Sequence, residues 1–159
     1  RTALLEMRMV DEEANSEVIQ KATEGALPPG RELYYDRQNN PILVKKEVIL
    51  TGENINNAGP SVDQQTGQSI VSLNLDNQGA SIFKRVTRDN VGKRIAILLI
   101  EKNITEVVTA PVIKTEIGGG RVQITGMKNI QEATDVSLHL IDLVNWFYLK
   151  TKQINIVKM

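Results

Sequence analysis

The fold class is decided by residues 70–100, IVSLNLDNQGASIFKRVTRDNVGKRIAILLI. From Val71 to Leu75 the side chains alternate between apolar and polar, which is the pattern of a strand with one buried face. The strand is followed by Asp76 and Asn77, two residue types that favour the N-cap of a helix because their side-chain oxygens accept a backbone N–H. The stretch therefore predicts a strand that leads directly into a helix.

The predicted helix carries its apolar side chains at the spacing of a 3.6-residue period. Gly92 is its expected end, because glycine is favoured just after the last helical turn. Residues 94–101 are β-branched and apolar on both faces, which predicts a central strand. Asn103 indicates a tight connection to a second strand through residues 107–113. The helical face is formed by Gly79, Ile82, Phe83 and Val86.

The segments before this stretch predict one strand, one polar excursion and one hairpin. Residues 3–10 read as a strand, and residues 11–24 as a short helix or a mobile excursion. Residues 32–36 and 42–46 flank the turn-rich residues 37–41, which favours a β-hairpin. Strands and helices therefore mix without a strict strand–helix–strand repeat.

The remaining segments complete an α+β class with a largely antiparallel sheet and two main helices. Residues 54–67 are rich in Asn, Gly, Gln and Ser, and they predict a surface loop that is either a linker or a contact surface. Residues 121–125 predict a strand after the glycines at 118–120. Asn129 begins a long helical pattern, and residues 153–157 predict a last strand.

Composition excludes several classes of function. The chain has 159 residues with 19 basic and 19 acidic side chains, so it lacks the electrostatic footprint of a nucleic-acid-binding protein. Aromatic residues make up 4%, too few for a platform that stacks bases. With no Cys and one His, thiolate catalysis and Cys- or multi-His-ligated metals are excluded. The longest apolar run has six residues, and the start at Arg1 without a signal sequence predicts a fragment of a longer protein.

Four local features are candidates for a functional site. Residues 11–13 are acidic, but they lack the alternating ligands of a calcium loop and favour a solvated segment. Gly118-Gly119-Gly120 precede a strand rather than a helix, so a hairpin connection is favoured over a phosphate loop. His139 has no second His or Cys to share a ligand or base role. A basic group is favoured as a solvated helix face over a docking patch for acidic partners: Lys84, Arg85, Arg88, Lys93 and Arg94.

These candidates do not supply a nucleophile, a base and an oxyanion donor together. The residues alone therefore predict a non-catalytic module that acts through contacts. We expect no catalytic residues, no metal ligands and no cofactor.

A series of short segments stands in a particular order over residues 1 to about 140. They are Arg1-Thr2-Ala3 with Glu6 to Val10; Val48 to Gly52 with Ile55; Val71 to Asp76 with Phe83; Thr87 with Asn90 to Lys93; Ile95 to Ile97; Ala110 to Ile113; Ile117 with Gly119; Ile124 to Gly126; and Asn129, Glu132-Ala133 and Ser137-Leu138. In their joint order these segments resemble the first large periplasmic domain of the SecD family, a membrane subunit of the bacterial Sec export machinery.

The resemblance implies a head subdomain inserted into a partial ferredoxin-like base. Residues 1–46 would be the partial base with its connecting hairpin, residues 47–118 the head, and residues 119–159 the return to the base. After Leu140 the chain departs from the family pattern, so residues 141–159 form an atypical tail. The membrane helices and the first part of the base would lie outside this chain.

The resemblance also implies partners and a location. We expect an unfolded preprotein as ligand, SecF and SecYEG as partners in the full-length complex, no nucleic acid, and the periplasmic side of the bacterial inner membrane. Membrane contact would come only through segments absent from this chain. Hinges are expected at Lys46 and at Gly118, Gly119 and Gly120. The candidate contact region comprises Asn54, Ile55, Asn57, Val62, Gln64 and Gln65.

Two alternatives stay open at this stage. One is a structural spacer that positions SecF and the channel without binding substrate. The other is a hydrolytic or metal-dependent enzyme, which would require a buried cluster of carboxylates in a pocket.

Overall fold

The computed structural model describes residues 3–137. The predictions for His139, for the atypical tail at 141–159 and for a strand at 153–157 lie outside the described residues.

Residues 3–137 contain nine strands, two complete helices and the first part of a further helix that begins at residue 130. A short 3-10 turn, Gly52–Asn54, precedes β5. The strands are β1 Ala3–Met9, β2 Arg31–Asp36, β3 Pro41–Lys45, β4 Leu50–Thr51, β5 Ile55–Val62, β6 Ser69–Leu75, β7 Ile95–Glu101, β8 Ile104–Thr109 and β9 Arg121–Ile124; the helices are α1 Ser16–Thr23 and α2 Asn77–Asp89.

Six strands form the larger sheet, in the order β3-β2-β8-β7-β1-β4. Strand β1 pairs with β7 in an antiparallel register from Ala3–Glu101 to Met9–Ile95. Beyond β1, Val10 bridges to Val44, and the Asp11 N–H donates to the Leu43 carbonyl at 2.9 Å. The β3 edge therefore curves back toward the end of β1, so that the sheet is partly closed on itself.

Three strands form the smaller sheet, in the order β5-β6-β9, and both pairings are antiparallel. Strand β6 runs directly into α2, whose N-cap is Asp76: its carboxylate accepts the Gly79 N–H at 2.7 Å. The predicted strand-to-helix transition is confirmed.

The structure has two apolar cores, one on each face of the larger sheet. Two cores form because alternate residues of a strand face opposite sides of its sheet. Ile95 and Ile97 of β7 belong to the larger core, where they meet Phe83 of α2. Ala96 and Leu98 belong to a smaller core within the curved sheet. The prediction of a central strand buried on both faces is confirmed at these four positions of β7.

The α+β class with mostly antiparallel pairing is confirmed, and β2–β8 is the one parallel pair among the described strands. The hairpin of β2 and β3, the helix within 11–24 and the tight turn at Asn103 are also present, the last with φ of 52° at Lys102 and 64° at Asn103. The strand predicted through residues 107–113 ends earlier, at Thr109. Pro111 cannot donate to a ladder, which explains this end.

The predicted surface loop at residues 54–67 is confirmed for the turn at residues 63–67 and is wrong for residues 55–62. Residues 55–62 form β5, which pairs with β6 from Ile55–Leu75 to Val62–Ser69. The composition suggested a loop because β5 lies at an edge and buries only Ile55 and Ala58. Pairing with an apolar neighbour stabilises a strand whose own propensity is low.

The predicted boundaries between base and head fall between strands that share a sheet. Strand β1 lies in the segment 1–46, yet it pairs along its whole length with β7 of the segment 47–118. Strand β9 lies in the segment 119–159 and pairs with β6. The division of the chain at these boundaries stays a prediction.

Candidate functional site

Two of the predicted contact residues have structural roles. The Asn54 side-chain amide donates to the Asp76 carboxylate at 3.3 Å, and the Asp76 N–H donates to the Asn54 carbonyl at 2.8 Å. Ile55 is 5% exposed within the larger core. Asn54 and Ile55 thus attach the start of β5 to the N-terminus of α2 and present little surface to a partner.

The other four predicted contact residues lie on the surface of the β5–β6 hairpin. Asn57 is exposed, and its Oδ1 accepts the Asn74 side-chain amide at 2.6 Å. Val62 is 46% exposed at the end of β5. Gln64 and Gln65 are exposed in the connecting turn. The structure therefore brings four of the six residues to one exposed hairpin.

The hairpin turn is organised by Asp63. Its carboxylate accepts the N–H groups of Thr66 at 3.0 Å and Gln65 at 2.8 Å. These two hydrogen bonds lower the pKa of Asp63 below its usual value. The turn is accordingly fixed by local bonds, while the glutamine side chains at its tip face solvent.

The β5 edge is only partly able to accept another strand. The Asp63 N–H donates to the Gln68 carbonyl at 2.8 Å, which fixes the alternation of hydrogen-bonded pairs along the hairpin. Ala58, Pro60 and Val62 consequently direct their backbone groups away from β6. Pro60 has no N–H to offer, and the register shifts between Ile55 and Asn57. Both features are typical of edges protected against strand addition.

The predicted hinge residues are held by the fold. The Lys46 N–H donates to the Gly30 carbonyl at 3.2 Å, and Gly120 accepts the Leu75 N–H at 2.8 Å. Gly119 and Gly120 have φ of 77° and 75°, a region that favours glycine. The glycines form the turn into β9, and their role as a hinge stays a prediction.

A buried charged cluster lies on the inner face of the curved sheet, and no pattern in the sequence predicts it. Arg8 is 8% exposed; its Nη2 and Nε lie 2.6 and 2.9 Å from the Glu6 carboxylate, and its Nη1 lies 3.2 Å from Glu32. Glu32 also accepts a hydrogen bond from the Tyr34 hydroxyl. Within residues 3–137, Nη1 makes no hydrogen bond of good geometry.

The pKa values in this cluster follow from burial and from these bonds. Burial raises the pKa of Tyr34 to about 12, together with the hydrogen bond to Glu32 and its charge. The Tyr34 hydrogen bond lowers the pKa of Glu32; burial opposes this effect, and the charge of Arg8 adds to it. Burial alone would lower the pKa of Arg8, but its bond to Glu6 and the nearby negative charges raise it. The cluster is therefore a structural ion group with an ionised Arg8.

Two side chains of the acidic segment 11–13, those of Asp11 and Glu12, form ion pairs. The Asp11 carboxylate accepts from Arg31 at 2.8 Å, and Glu12 accepts from Arg94 at 3.2 Å. Partial burial raises the pKa of Asp11, but the hydrogen bonds from Arg31 and from the Glu13 N–H, together with the charges of Arg31 and Lys45, outweigh burial and hold that pKa below its usual value. In residues 3–137 we find no group of three or more acidic or histidine side chains that could hold a metal.

The basic group on α2 is partly neutralised. Arg88 pairs with Asp89 at 3.0 Å, and Arg94 pairs with Glu12. Lys84 lies along the backbone of Gly118, with 3.6 Å between its Cδ and the position of a Cβ there. This arrangement agrees better with a solvated helix face than with a docking patch for acidic partners.

Across the part of the chain that is described, the helices are all too short or too polar to cross a bilayer.

Comparison with known proteins identifies the family. Residues 31–141 match the family model described as SecDF, P1 head subdomain. Over 116 residues the chain is 44% identical to the protein translocase subunit SecD of Acetobacter pasteurianus, covering 71% of this chain and 22% of that protein. The chain belongs to the SecD family. It is also 37% identical to SecD of Desulfurispirillum indicum over 150 residues, covering 88% of this chain and 28% of the relative.

Solved structures agree with this assignment. The crystal structure of SecDF from Thermus thermophilus, a translocon-associated membrane protein, matches with a TM-score of 0.60 and 30% identity, over 91% of this chain and 20% of that chain. A structure of SecDF, a membrane component that enhances protein export, matches with a TM-score of 0.55 and 34% identity, over 87% of this chain and 61% of that chain.

The chain spans roughly a quarter of these two SecD relatives, 22% and 28% of their length. The expected resemblance to the SecD family is confirmed.

Proposed function

We propose that this chain is part of the periplasmic region of a SecD subunit and that it contacts unfolded preproteins during export, without catalysing a reaction. The supporting observation is the three-stranded sheet β5-β6-β9, whose two edges have no partner strand among the described residues. An unfolded chain has no fixed sequence, so main-chain hydrogen bonding at a sheet edge is a recognition mode that suits it.

The partners and location follow from family membership. In the full-length protein this part would act beside SecF and the SecYEG channel, on the periplasmic side of the inner membrane. Its solved relatives include a SecDF named as enhancing protein export.

The test is an amide NMR titration of the 159-residue chain with reduced, carboxymethylated α-lactalbumin, a permanently unfolded polypeptide. Folded α-lactalbumin is the control. We expect selective shifts on β5, β6 and β9 with the unfolded form only. Absence of shifts at high micromolar concentration, or equal shifts with the folded control, would contradict polypeptide binding by this chain.

A structural spacer is the second candidate, and Pro60 favours it. Together with the irregular register between Ile55 and Asn57, this proline weakens the β5 edge as a template for strand addition. A spacer would bind neither form of α-lactalbumin but would still pull down SecF when it is part of the full-length protein.

A further inference from the structure

The two edges of the smaller sheet differ in their capacity to accept a strand. The Leu75 N–H donates to the Gly120 carbonyl at 2.8 Å, and the ladder continues with the pairs Leu73–Val122 and Val71–Ile124. Because hydrogen-bonded pairs alternate in an antiparallel ladder, Arg121 and Gln123 direct their backbone N–H and C=O groups away from β6.

Strand β9 has none of the protecting features found on β5. It contains no proline, and its register with β6 is regular from Asn74–Arg121 to Val71–Ile124. Within residues 3–137, the outward-facing backbone groups of Arg121 and Gln123 make no hydrogen bond to another backbone group. The β9 edge therefore offers two donors and two acceptors in the spacing that an added strand needs.

A cleft of about 280 Å³ lies beside this edge. Arg121 and Gln123 line it, together with residues of the segment that joins β8 to β9 and with Asp63 of the β5–β6 turn. In that segment Val112 is 49% exposed and provides an apolar surface, while Lys114 provides a second positive charge beside Arg121. The cleft thus combines an open backbone edge with an apolar side chain, two cations and one carboxylate, that of Asp63, whose pKa the charge of Lys114 helps to lower.

The segment that lines the cleft is fixed in place. The Ile113 N–H donates to the Lys93 carbonyl at 2.8 Å, and the Ile117 N–H donates to the Thr87 hydroxyl at 2.9 Å. Thr87 is fully buried in α2. A cleft held in this way is formed before a ligand arrives, which lowers the ordering cost of binding.

We propose that β9 is the binding edge: an extended segment of an unfolded polypeptide adds to Arg121–Ile124 as a fourth strand. The cations Lys114 and Arg121 outnumber the one carboxylate of the cleft, Asp63, and therefore favour segments that carry carboxylates. This proposal rests on the proposed function and names its site. It also places the site on the edge of the sheet opposite to the predicted contact residues of β5.

The experiment compares proline substitutions at the two edges. Gln123→Pro removes an outward N–H from β9, and Val62→Pro removes an outward N–H from β5, so each variant is the control of the other. The probe is a decapeptide in which threonine alternates with glutamate, and binding is followed by amide NMR. We expect Gln123→Pro to weaken binding about tenfold or more, since main-chain hydrogen bonds and register are lost, while Val62→Pro binds like the unchanged chain.

Modified peptides test the same contacts without altering the protein. N-methylation of alternate peptide nitrogens should weaken binding about tenfold, because the donors opposite β9 are removed. Replacing the glutamates by lysines should weaken it several-fold at low salt. The amide spectrum outside β9 shows whether Gln123→Pro disturbs the fold. If it does, the two modified peptides still test whether the polypeptide binds at the β9 edge.

Three outcomes separate this proposal from the proposed function. Binding that survives Gln123→Pro and N-methylation, or that is lost only in Val62→Pro, overturns the β9 site and leaves polypeptide binding intact. Slow hydrogen exchange of the Gln123 N–H in the free chain shows an edge already paired and also overturns it. Absence of binding to both the decapeptide and unfolded α-lactalbumin overturns the proposed function itself.

Discussion

At the scale of single residues, Thr87 connects two segments that are distant in sequence. Its hydroxyl donates to the Phe83 carbonyl at 2.7 Å and accepts the Ile117 N–H at 2.9 Å. Thr87→Val keeps the shape but leaves the Ile117 N–H without its acceptor, which should lower the free energy of unfolding by about 1–3 kcal/mol. Urea denaturation measures this change.

Thr87→Ser is the matched control for this prediction. It keeps the hydroxyl and loses one buried methyl group, so we expect a smaller cost of about 1 kcal/mol. Equal stability of Thr87→Val and the unchanged chain would show that the hydrogen bond to Ile117 contributes nothing.

Ionisation of Tyr34 is predicted to lower the stability of the folded chain at alkaline pH. Its pKa is raised to about 12 by burial and by the bond to Glu32, whereas an unfolded tyrosine titrates near 10. The folded state therefore favours the neutral form. This contribution to stability is complete below about pH 10 and is lost as pH rises from 10 through 12. Urea unfolding at pH 8 to 11.5 should show the decline.

Tyr34→Phe is the control, because it cannot ionise and should make the stability curve flatter above pH 10. A Tyr34→Phe variant with the same alkaline decline as the unchanged chain would contradict the prediction. The neighbouring Tyr35, 39% exposed, serves as a second comparison through Tyr35→Phe.

Residue patterns could not reveal the charged cluster. Glu6 and Arg8 interrupt an otherwise apolar strand, and sequence alone cannot show which partners meet Arg8. Glu32 comes from another strand, and its approach depends on the closure of β3 toward β1. Whether Arg8 is buried in an ion group or exposed to solvent therefore depends on the tertiary structure, which a local sequence pattern does not contain.

At the scale of elements, the turn before β9 depends on two glycines with different surroundings. A Cβ on Gly120 would lie 3.0 Å from the Leu75 carbonyl oxygen and 3.1 Å from the Ala80 Cβ, whereas a Cβ on Gly119 would meet nothing within 4 Å. Both have positive φ, so both alanine variants carry a backbone cost of about 1–2 kcal/mol.

Gly120→Ala should cost more than Gly119→Ala, about 2–4 kcal/mol in total, because crowding against β6 and α2 is added. Thermal and urea unfolding of the two variants measure the difference. Equal costs would mean that the backbone near Leu75 relaxes freely, which would support the predicted hinge at these glycines.

Elements with a strong period could be predicted from sequence, and the weakly patterned ones could not. The strand β6 and the helix α2 were predicted correctly. Three patterns allowed this: the alternation in β6, the N-cap residue Asp76 and the apolar face of α2. Strand β5 was missed because Asn, Gly and Pro dominate it and only Ile55 and Ala58 are buried. Its existence depends on the hydrogen-bonding groups that β6 presents, which no local pattern contains.

At the scale of the whole molecule, the pairing of β1 with β7 predicts one cooperative unfolding transition. These strands join the segments 1–46 and 47–118 over seven residue pairs, and Met7, Ile97 and Phe83 share one core. A head that unfolded alone would have to break this ladder and expose that core. The cost of exposing the core makes separate unfolding unfavourable.

Native-state hydrogen exchange checks this prediction. The amides of Leu98 in the six-stranded sheet and Leu73 in the three-stranded sheet should exchange with the same opening free energy, equal to that of global unfolding. Opening of Leu73 at a free energy lower by 2 kcal/mol or more would instead indicate a separate unit. That result would favour a division of the chain near Lys46 and Gly118–Gly120, and with it motion of the smaller sheet against the larger one while a bound polypeptide is handled.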